Sequence, residues 1–250
     1  MNWDMTDLHT HILPAFDDGA QDVDTALQML REAKECGVER LALTPHFYPM
    51  QEDLTSFVQR RRRAYESLLS QWEPNTMPQL KLGAEVRYAA DLVQMDLRQL
   101  TLTDSDYMLL ELPGDSLPAH IKQVVQAIVD RGITPILAHV ERCAYFRSSP
   151  ESLLELIHLG ALAQVSANSL GSKADRGFSM ACLKKGLAHV IASDVHGVQE
   201  RRAYSDRRTG GLCSETVVRA EEFARAIWNN ECPPAFSIAP VKRDLFQHFR

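Results

Sequence analysis

The sequence predicts an α/β fold, a distorted barrel of seven parallel strands, on two observations. Short apolar runs alternate with longer amphipathic segments along all 250 residues. Strands separated by helices imply parallel pairing through right-handed crossovers, and seven such units in series favour a barrel over an open sheet. Since no change in composition marks a boundary, we expect one domain over residues 1–250.

The strand candidates are seven short apolar segments. In chain order they are DLHTHIL (7–13), RLALTPHF (40–47), LKLGAEV (80–86), YMLLELP (107–113), TPILAHV (134–140), LAQVSANS (162–169) and HVIASDV (189–195).

Helical patterns fill the intervals between the strand candidates. In DVDTALQMLREAKECGV (22–38) an apolar stripe runs through Ala26, Met29, Leu30 and Ala33, and Gly37 stands where a helix would end. Similar patterns occupy residues 56–72, 119–133 and 149–162. From about residue 210 a final helix, CSETVVRAEEFARAIWNNE, and a proline-rich tail are expected to pack on the barrel.

Composition and charge exclude several classes of protein. We expect no secretory signal and no membrane insertion, because there is no basic segment followed by an apolar one at the start and no apolar run of ~18 residues. Five scattered cysteines without a CxxC pair indicate neither a disulfide framework nor a thiolate zinc site, and favour a reducing, cytoplasmic location. The net charge of −6 argues against nucleic acid as a partner.

Acidic groups and imidazoles end six of the seven strand candidates. They are His9 and His11, His46, Glu85, Glu111, His139, and Asp194 with His196. Strand side chains alternate in direction, so the members of each pair point the same way. Because the carboxyl ends of barrel strands form one face, all of these side chains should meet in one pocket.

Metal ions are the usual partners that offset the cost of burying such groups. Histidine and carboxylate ligands without cysteine suit Mn, Fe or Zn. With Asp18 from the loop after the first strand there are nine candidates, more than one tetrahedral site uses, so we expect two or three ions per chain. Asp7 is placed behind them, accepting a proton from a ligand imidazole.

Six motifs resemble a known family. The segments DLHTHILPAFDDG, TPHF, GAEVRY, LLELP, LAHVERC and ASDVHG are similar to motifs of the polymerase and histidinol phosphatase (PHP) superfamily, and in particular to bacterial PHP-type protein-tyrosine phosphatases of capsule and exopolysaccharide loci. The resemblance spans residues 7 to about 201. It implies a distorted seven-stranded barrel that holds three metals, usually manganese or iron.

The resemblance also implies roles for individual residues. His9, His11, Glu85 and Asp194 would hold the first metal, Glu85, Glu111 and His139 the second, and Asp18, His46 and His196 the third. Arg142 and Arg201 would bind the phosphoryl group. The match at Arg201 is the looser one, since Arg202 follows it where the family usually has proline.

The function implied is hydrolysis of phosphotyrosine by attack of a metal-bound hydroxide on phosphorus. The expected partner is a phosphotyrosine-bearing protein, namely a bacterial tyrosine kinase that controls polysaccharide export. Two alternatives stay open. The same site could act on a small phosphate monoester such as histidinol phosphate or on a nucleic-acid phosphodiester, or the chain could be a regulator that binds metal without turnover.

Three other groups of residues could suggest a functional site, but the sequence favours a structural or surface role for each of them. Cys213 and Arg219 have the C-x5-R spacing of cysteine-dependent phosphatases, but Glu215 would repel a phosphate there, and Ser214 is the expected start of a helix. The run Arg60 to Arg63 is interpreted as the solvated face of a helix. Four further histidines are interpreted as structural or surface residues: His120, His158, His189 and His248.

Overall fold

The computed structural model describes residues 4–200, 204, 214–235 and 238. The strands in these ranges are β1 Met5–Asp7, β2 Val38–Leu43, β3 His46–Phe47, β4 Gln79–Leu82, β5 Glu85–Arg87, β6 Tyr107–Glu111, β7 Thr134–Leu137, β8 Leu162–Ser166 and β9 Val190–Ala192. The α-helices are α1 Val23–Glu35, α2 Leu54–Leu69, α3 Ile121–Val129, α4 Ala144–Ser148, α5 Pro150–His158, α6 Arg176–Lys185 and α7 Ser214–Trp228.

The strands pair in parallel in two sheets. One has the order β1-β2-β4 and the other the order β3-β5-β6-β7-β8-β9. The parallel α/β prediction is therefore confirmed, but the seven-stranded barrel is not, because no closed barrel is found among the described residues. The first and last strands, β1 and β9, are linked just beyond their carboxyl ends by one isolated bridge, between Thr10 and Val195.

Two of the predicted strands are interrupted, which is why the sheet divides. The run 40–47 breaks between β2 and β3, where Pro45 lacks a backbone N–H and the N–H of Thr44 donates to Thr10 O instead. The run 80–86 breaks between β4 and β5, at Gly83. A Cβ on Gly83 would lie 2.6 Å from the side chain of Leu102, so the backbone passes too close to its neighbour for a larger residue.

The helices follow the predicted patterns closely. Asp22 caps α1 by accepting the N–H of Thr25, and Gly37 follows the helix with a φ of +91°. Pro150 opens α5. Two helices were not singled out in the sequence, α4 because it is short and α6 because its apolar residues form only a weak stripe.

A separate apolar cluster closes the space between the sheets and α7. It is formed by strand residues such as Tyr107, Leu109 and Ile136 and by Phe223 and Ile227 of α7. On β6 the side chains of Tyr107 and Leu109 precede Glu111 at intervals of two, so the same strand face changes from apolar to acidic along its length. The polar residues at the strand ends thus lie next to this apolar cluster.

The arginine run on α2 is only partly solvated, contrary to the sequence interpretation. Arg61 is buried, and its guanidinium donates to the carbonyl oxygens of Gly83 and Gln99, each at 2.7 Å. Burial lowers the pKa of Arg61 to about 10. The residue therefore ties α2 to the break between β4 and β5, whereas Arg62 forms an exposed ion pair with Glu66.

No helix in the described part of the chain has both the length and the apolar character to cross a bilayer.

Candidate metal centre

The structure brings all nine predicted ligands together at one end of the sheets. Glu85 begins β5 and Glu111 ends β6, while His139 follows β7 by two residues and Asp194 follows β9 by two residues. This end is the carboxyl end of the parallel strand runs, with Glu85 in the carboxyl-terminal part of the interrupted run 80–86, as expected for α/β enzymes. Residues 150 or more positions apart in sequence meet there because helix-containing crossovers between the strand runs return the chain to the opposite end of the sheets.

Glu85 lies at the middle of the cluster. Its Oε2 is 3.3 Å from His9 Nε2, 3.4 Å from His11 Nε2 and 2.9 Å from His46 Nδ1, and its Oε1 is 2.8 Å from His139 Nε2. The carboxylate is buried. One carboxylate therefore faces four imidazoles, an arrangement typical of a bridging ligand.

Asp194 contributes the second buried carboxylate. Its Oδ1 lies 3.3 Å from His9 Nε2 and 3.4 Å from His11 Nε2. The two imidazole nitrogens are themselves 3.1 Å apart. Ligand atoms about 2.1 Å from a shared cation stand roughly 3.0 to 3.4 Å from one another, so the spacing of these four groups fits a metal ion between them.

The remaining ligand candidates form two further groups around this centre. His11, Asp18, His46 and His196 have ligand atoms that lie close enough to share an ion, and so do His46, Glu85 and Glu111. Asp18 Oδ1 is 3.5 Å from both His46 Nε2 and His196 Nε2. His139 Nε2 is 3.9 Å from Glu111 Oε1. The groups overlap at His11, His46 and Glu85, as expected for neighbouring ions that share ligands.

Hydrogen bonds behind the cluster orient the imidazoles. Asp17 Oδ2 is 2.8 Å from His11 Nδ1, and Gln164 Oε1 is 3.2 Å from His9 Nδ1. The oxygens of Asp17 and Gln164 accept hydrogen bonds and therefore favour a proton on Nδ1 of each ring. The lone pair of Nε2 then remains free to bind a metal ion. The sequence interpretation named neither Asp17 nor Gln164. The doubled aspartate of PAFDDG was a signal for the first, whereas nothing local indicated the second.

Asp7, which the sequence placed behind the ligands, bonds to backbone groups. Its Oδ1 accepts the N–H of Ser193 at 2.9 Å and that of His9 at 3.5 Å. It thereby links the end of β1 to the segment that carries Asp194. Asp7 thus helps to hold the two ligand-bearing segments in register.

The loop after β1 folds back tightly on the site. Asp17 Oδ1 accepts the N–H of Gly19, and Asp17 Oδ2 also accepts the N–H of His46. A Cβ on Gly19 would lie only 1.7 Å from His11 O, so a residue with a side chain cannot occupy this position without moving the backbone. Glycine at position 19 therefore permits the turn, in which the neighbouring Asp18 lies 3.5 Å from His46 and His196.

Two ligand candidates have strained backbones. His139 has a φ of +30° and Asp194 a φ of +56°, in the left-handed region that residues with a side chain rarely adopt. Such conformations cost about 1 to 3 kcal/mol each and concentrate at functional sites.

The electrostatics of the cluster favour charged groups despite burial. Burial would by itself raise the pKa of Glu85, but His9 and hydrogen bonds from three other imidazoles hold it well below its usual range. Burial would lower the pKa of His11, yet Asp17, Asp194 and Glu85 raise it well above its usual value. The Glu85 carboxylate is thus ionised, and a proton on His11 competes with a metal ion for the same nitrogen.

Arg142 lies at the edge of the cluster. It ends a short 3₁₀ turn, Val140–Arg142, directly after His139, and its Nη2 donates to Asp194 Oδ2. The side chain is 55% exposed, so further N–H groups of the guanidinium face the opening. Glu141, the preceding residue, is buried and accepts the N–H of Ser166, which fixes this turn to β8. Arg201 lies outside the described residues.

A second arginine, which the sequence interpretation did not name, contacts the cluster at Glu111. Arg87 Nη1 is 2.8 Å from Glu111 Oε1. Beside it Tyr48 stacks on His46, with ring centroids 5.2 Å apart and planes inclined by 26°. Burial and the charge of Glu111 raise the pKa of Tyr48 to about 12, so the phenol stays protonated.

The other features set aside in the sequence lie away from the cluster or outside the described residues. Arg219 donates to Leu183 O, while its would-be partner Cys213 lies outside the described residues, as do Arg202 and His248. His189 is buried and its Nδ1 accepts the N–H of Ala163. The α7 helix begins at Ser214, as expected.

Comparison with known proteins identifies the family. Residues 5–210 match the model of the family "Capsular polysaccharide synthesis, CpsB/CapC". The tyrosine-protein phosphatase YwqE of Bacillus subtilis (strain 168) is 32% identical over 258 residues, which cover 98% of this chain and all of that protein. The tyrosine-protein phosphatase CpsB of Streptococcus pneumoniae is 28% identical over 219 residues, covering 80% of this chain and 86% of CpsB.

A solved structure agrees with these relatives. The fold superposes with a TM-score of 0.81, at 29% identity, on a chain from the crystal structures of YwqE from B. subtilis and CpsB from S. pneumoniae, described as unique metal-dependent tyrosine phosphatases. The alignment covers 95% of this chain and all of the other. With its extent of sequence match and this shared fold, the chain belongs to the CpsB/CapC family of capsular polysaccharide synthesis.

Proposed function

We propose that this chain is a metal-dependent protein-tyrosine phosphatase that acts on a bacterial tyrosine kinase of polysaccharide export. The observation that carries the proposal is the convergence of buried Glu85 and Asp194 on His9 and His11. An oxygen of each carboxylate lies 3.3 to 3.4 Å from both Nε2 atoms, which are 3.1 Å apart. Unpaired, such groups would each cost several kcal/mol to bury.

Nine side chains would hold two or three divalent cations. His9, His11, Glu85 and Asp194 are assigned to the first, Glu85, Glu111 and His139 to the second, and Asp18, His46 and His196 to the third. Three overlapping groups of ligand atoms support three neighbouring ion positions: His9, His11 and Glu85; His46, Glu85 and Glu111; and His11, Asp18, His46 and His196. Imidazole and carboxylate donors without thiolate suit manganese, with iron or zinc as substitutes. When bound, these cations would activate water and neutralise phosphate charge.

The arginines would hold the phosphoryl group. Arg142 already pairs with Asp194 through one N–H and keeps the others for phosphoryl oxygens, and Arg201 is proposed as its partner. A guanidinium presents N–H groups in a planar fork that matches two oxygens at once. Arg142 would thus orient the phosphorus toward the ligand cluster and stabilise the charge that develops during the reaction.

The leaving group fits a site without an obvious strong acid. A tyrosine phenolate has a conjugate-acid pKa of ~10, so it departs far more readily than a serine alkoxide. Specificity for phosphotyrosine over phosphoserine would follow in part from this difference.

A metal-exchange assay tests the proposal. The purified protein is stripped with a chelator, reloaded with Mn²⁺, and assayed side by side on a phosphotyrosyl peptide, a phosphoseryl peptide, histidinol phosphate and single-stranded DNA, with metal content determined by elemental analysis. We expect phosphate release from the phosphotyrosyl peptide that disappears on stripping and returns on reloading. Turnover that survives complete metal removal, or a preference for histidinol phosphate or DNA, would overturn the proposal.

The kinase assignment needs a separate measurement. The autophosphorylated tyrosine kinase encoded in the same polysaccharide locus is incubated with the loaded protein, and its phosphotyrosine is quantified by immunoblot. Loss of the signal is expected with the wild-type chain and not with His11→Ala. Persistence of the signal alongside active peptide hydrolysis would leave the phosphatase activity standing and reject the kinase as the substrate.

A further inference from the structure

We propose that a groove beside the metal centre binds the polypeptide that carries the phosphotyrosine and selects acidic residues next to it. We call it the Tyr48 groove; it has a volume of about 470 Å³ and is lined by Tyr48, Pro49, Met50, Gln51, Arg87 and Tyr88. The inference rests on the proposed phosphatase function and adds to it the side of the site on which the protein substrate lies.

The groove is continuous with the metal centre through Tyr48. This residue also lines a neighbouring cavity of about 430 Å³, whose wall includes the ligand candidates Asp18 and His46. One oxygen atom separates the phosphorus of phosphotyrosine from its ring. A phosphoryl group at the ligand cluster therefore brings that ring against Tyr48, where offset or edge contacts between aromatic rings are favourable. The peptide backbone then emerges into the groove.

The charge of the groove points to an acidic peptide. Arg87 is the one charged residue among those that line the groove. Its guanidinium pairs with Glu111 through a single nitrogen, Nη1. The side chain is 37% exposed, and a guanidinium has five N–H groups, so several remain for a carboxylate from a substrate.

The apolar part of the groove suits a polypeptide and not a free phosphate. Met50 is 83% exposed, the highest value among the large apolar residues of the described chain. A flexible thioether side chain adapts to varied partners, and methionines are common at surfaces that bind several peptides. Met50 lines the Tyr48 groove but not the cavity that contains Asp18 and His46, so we expect its surface to contribute when a substrate extends beyond that cavity.

Substitutions at Met50 test the groove without touching the metal ligands. Met50→Glu and Met50→Lys are compared with the wild type on a phosphotyrosyl peptide with flanking aspartates, on the same peptide with flanking lysines, and on p-nitrophenyl phosphate. Leu69→Glu and Leu69→Lys are the matched controls, since Leu69 is an exposed apolar residue at the end of α2. Arg87 is avoided because of its contact with Glu111.

The expected changes are modest and opposite in sign. With the aspartate peptide, Met50→Glu lowers kcat/KM and Met50→Lys raises it, each by about two- to fivefold as for other exposed charge pairs, and the lysine peptide reverses the order. The differences shrink at high salt. All variants hydrolyse p-nitrophenyl phosphate at the wild-type rate. The Leu69 variants also hydrolyse both peptides at the wild-type rate. Affinity for a phosphonate analogue of the aspartate peptide, measured by fluorescence anisotropy, follows the same order.

The outcomes separate this inference from the proposed function. If p-nitrophenyl phosphate and peptides are hydrolysed but the two Met50 variants treat the aspartate and lysine peptides alike, the groove does not select the peptide and the inference is wrong while the phosphatase stands. If no aryl phosphate is hydrolysed by the metal-loaded wild type, the proposed function fails first.

Discussion

His9 Nε2 lies 3.1 Å from His11 Nε2, and both nitrogens lie within 3.4 Å of Glu85 Oε2 and of Asp194 Oδ1. Two imidazole lone pairs directed at one another repel unless a proton or a cation lies between them. The proton and the metal ion are therefore alternatives at this position. The relationship links metal binding to both stability and pH.

Metal binding should stabilise the fold through this pair. A ligand that binds the folded chain at 100 times its Kd adds ~2.7 kcal/mol to the free energy of unfolding. We expect the Tm, measured by differential scanning fluorimetry, to rise with added Mn²⁺ in the wild type and in His158→Ala, a substitution at the exposed end of α5. His11→Ala should lose most of the rise; an undiminished rise would show that the ion binds elsewhere.

Asp17 should matter for metal affinity although it is not assigned as a ligand. Asp17→Asn places an amide NH₂ where one of the carboxylate oxygens accepts from His11, His46 or Gly19. Loss of such a supporting hydrogen bond lowers metal affinity by about 10- to 100-fold. Isothermal titration with Mn²⁺ measures the change. Asp24→Asn, an exposed substitution in the first turn of α1, should bind as the wild type does, and equal affinity for both variants would remove Asp17 from the site.

Arg142 should affect turnover more than metal content. Arg142→Lys keeps the charge but loses the planar fork that holds two phosphoryl oxygens. Removing one well-placed donor to the reacting group costs about 10²- to 10³-fold in rate. Steady-state kinetics on a phosphotyrosyl peptide, with metal content determined on the same sample, measures the loss. Arg31→Lys, on the exposed side of α1, serves as the control; a wild-type rate for Arg142→Lys would exclude a phosphoryl contact.

Cys213 should be dispensable. Although Cys213 and Arg219 have the spacing of a cysteine-dependent phosphatase, Arg219 donates to Leu183 O in the structure. We expect Cys213→Ser to hydrolyse a phosphotyrosyl peptide at the wild-type rate and to retain its metal, whereas His139→Gln should lose activity. Loss of turnover in Cys213→Ser with metal still bound would establish the thiol mechanism in place of the metal-dependent one.

His189 should make the metal-free protein less stable in acid. Burial, together with the charge of Arg219, lowers the pKa of His189 to about 4, below its unfolded value of ~6.5. As the pH falls from 6.5 to 4, His189 binds a proton in the unfolded chain but not in the folded one. This contribution to the free energy of unfolding is therefore fully present above pH 6.5 and decreases by about 3 kcal/mol between pH 6.5 and pH 4.

Urea unfolding at pH 7 and pH 5 in the presence of a chelator measures the effect of His189. The difference between the two pH values should be smaller in His189→Gln than in the wild type, while His158→Gln, at the exposed end of α5, should match the wild type. If His189→Gln is too unstable to measure, an NMR titration of the ring protons in the wild type gives the pKa directly. A value near 6.5 would contradict the prediction.

Individual residues show which parts of the fold the sequence could predict. The seven strand candidates and the four named inter-strand helices were readable because burial on one face imposes a period of two or of 3.6 residues. The breaks at Pro45 and Gly83 were not read as ends of strands, and the closed barrel predicted from seven crossover units is not found. Local periodicity specifies an element but not the pairing of its edges, which depends on how the sheet twists as a whole.

The sequence by itself determined the ligand types, since His9, Glu85, His139 and Asp194 each stand at the end of an apolar run whose carboxyl end must reach one face. Only the tertiary structure decided that Asp17 and Gln164 orient the imidazoles, that Arg61 is buried within the arginine run of α2, and that Arg87 pairs with Glu111. These contacts join residues 6 to 155 positions apart. Their partners are set by packing of side chains, for which a linear pattern carries no signal.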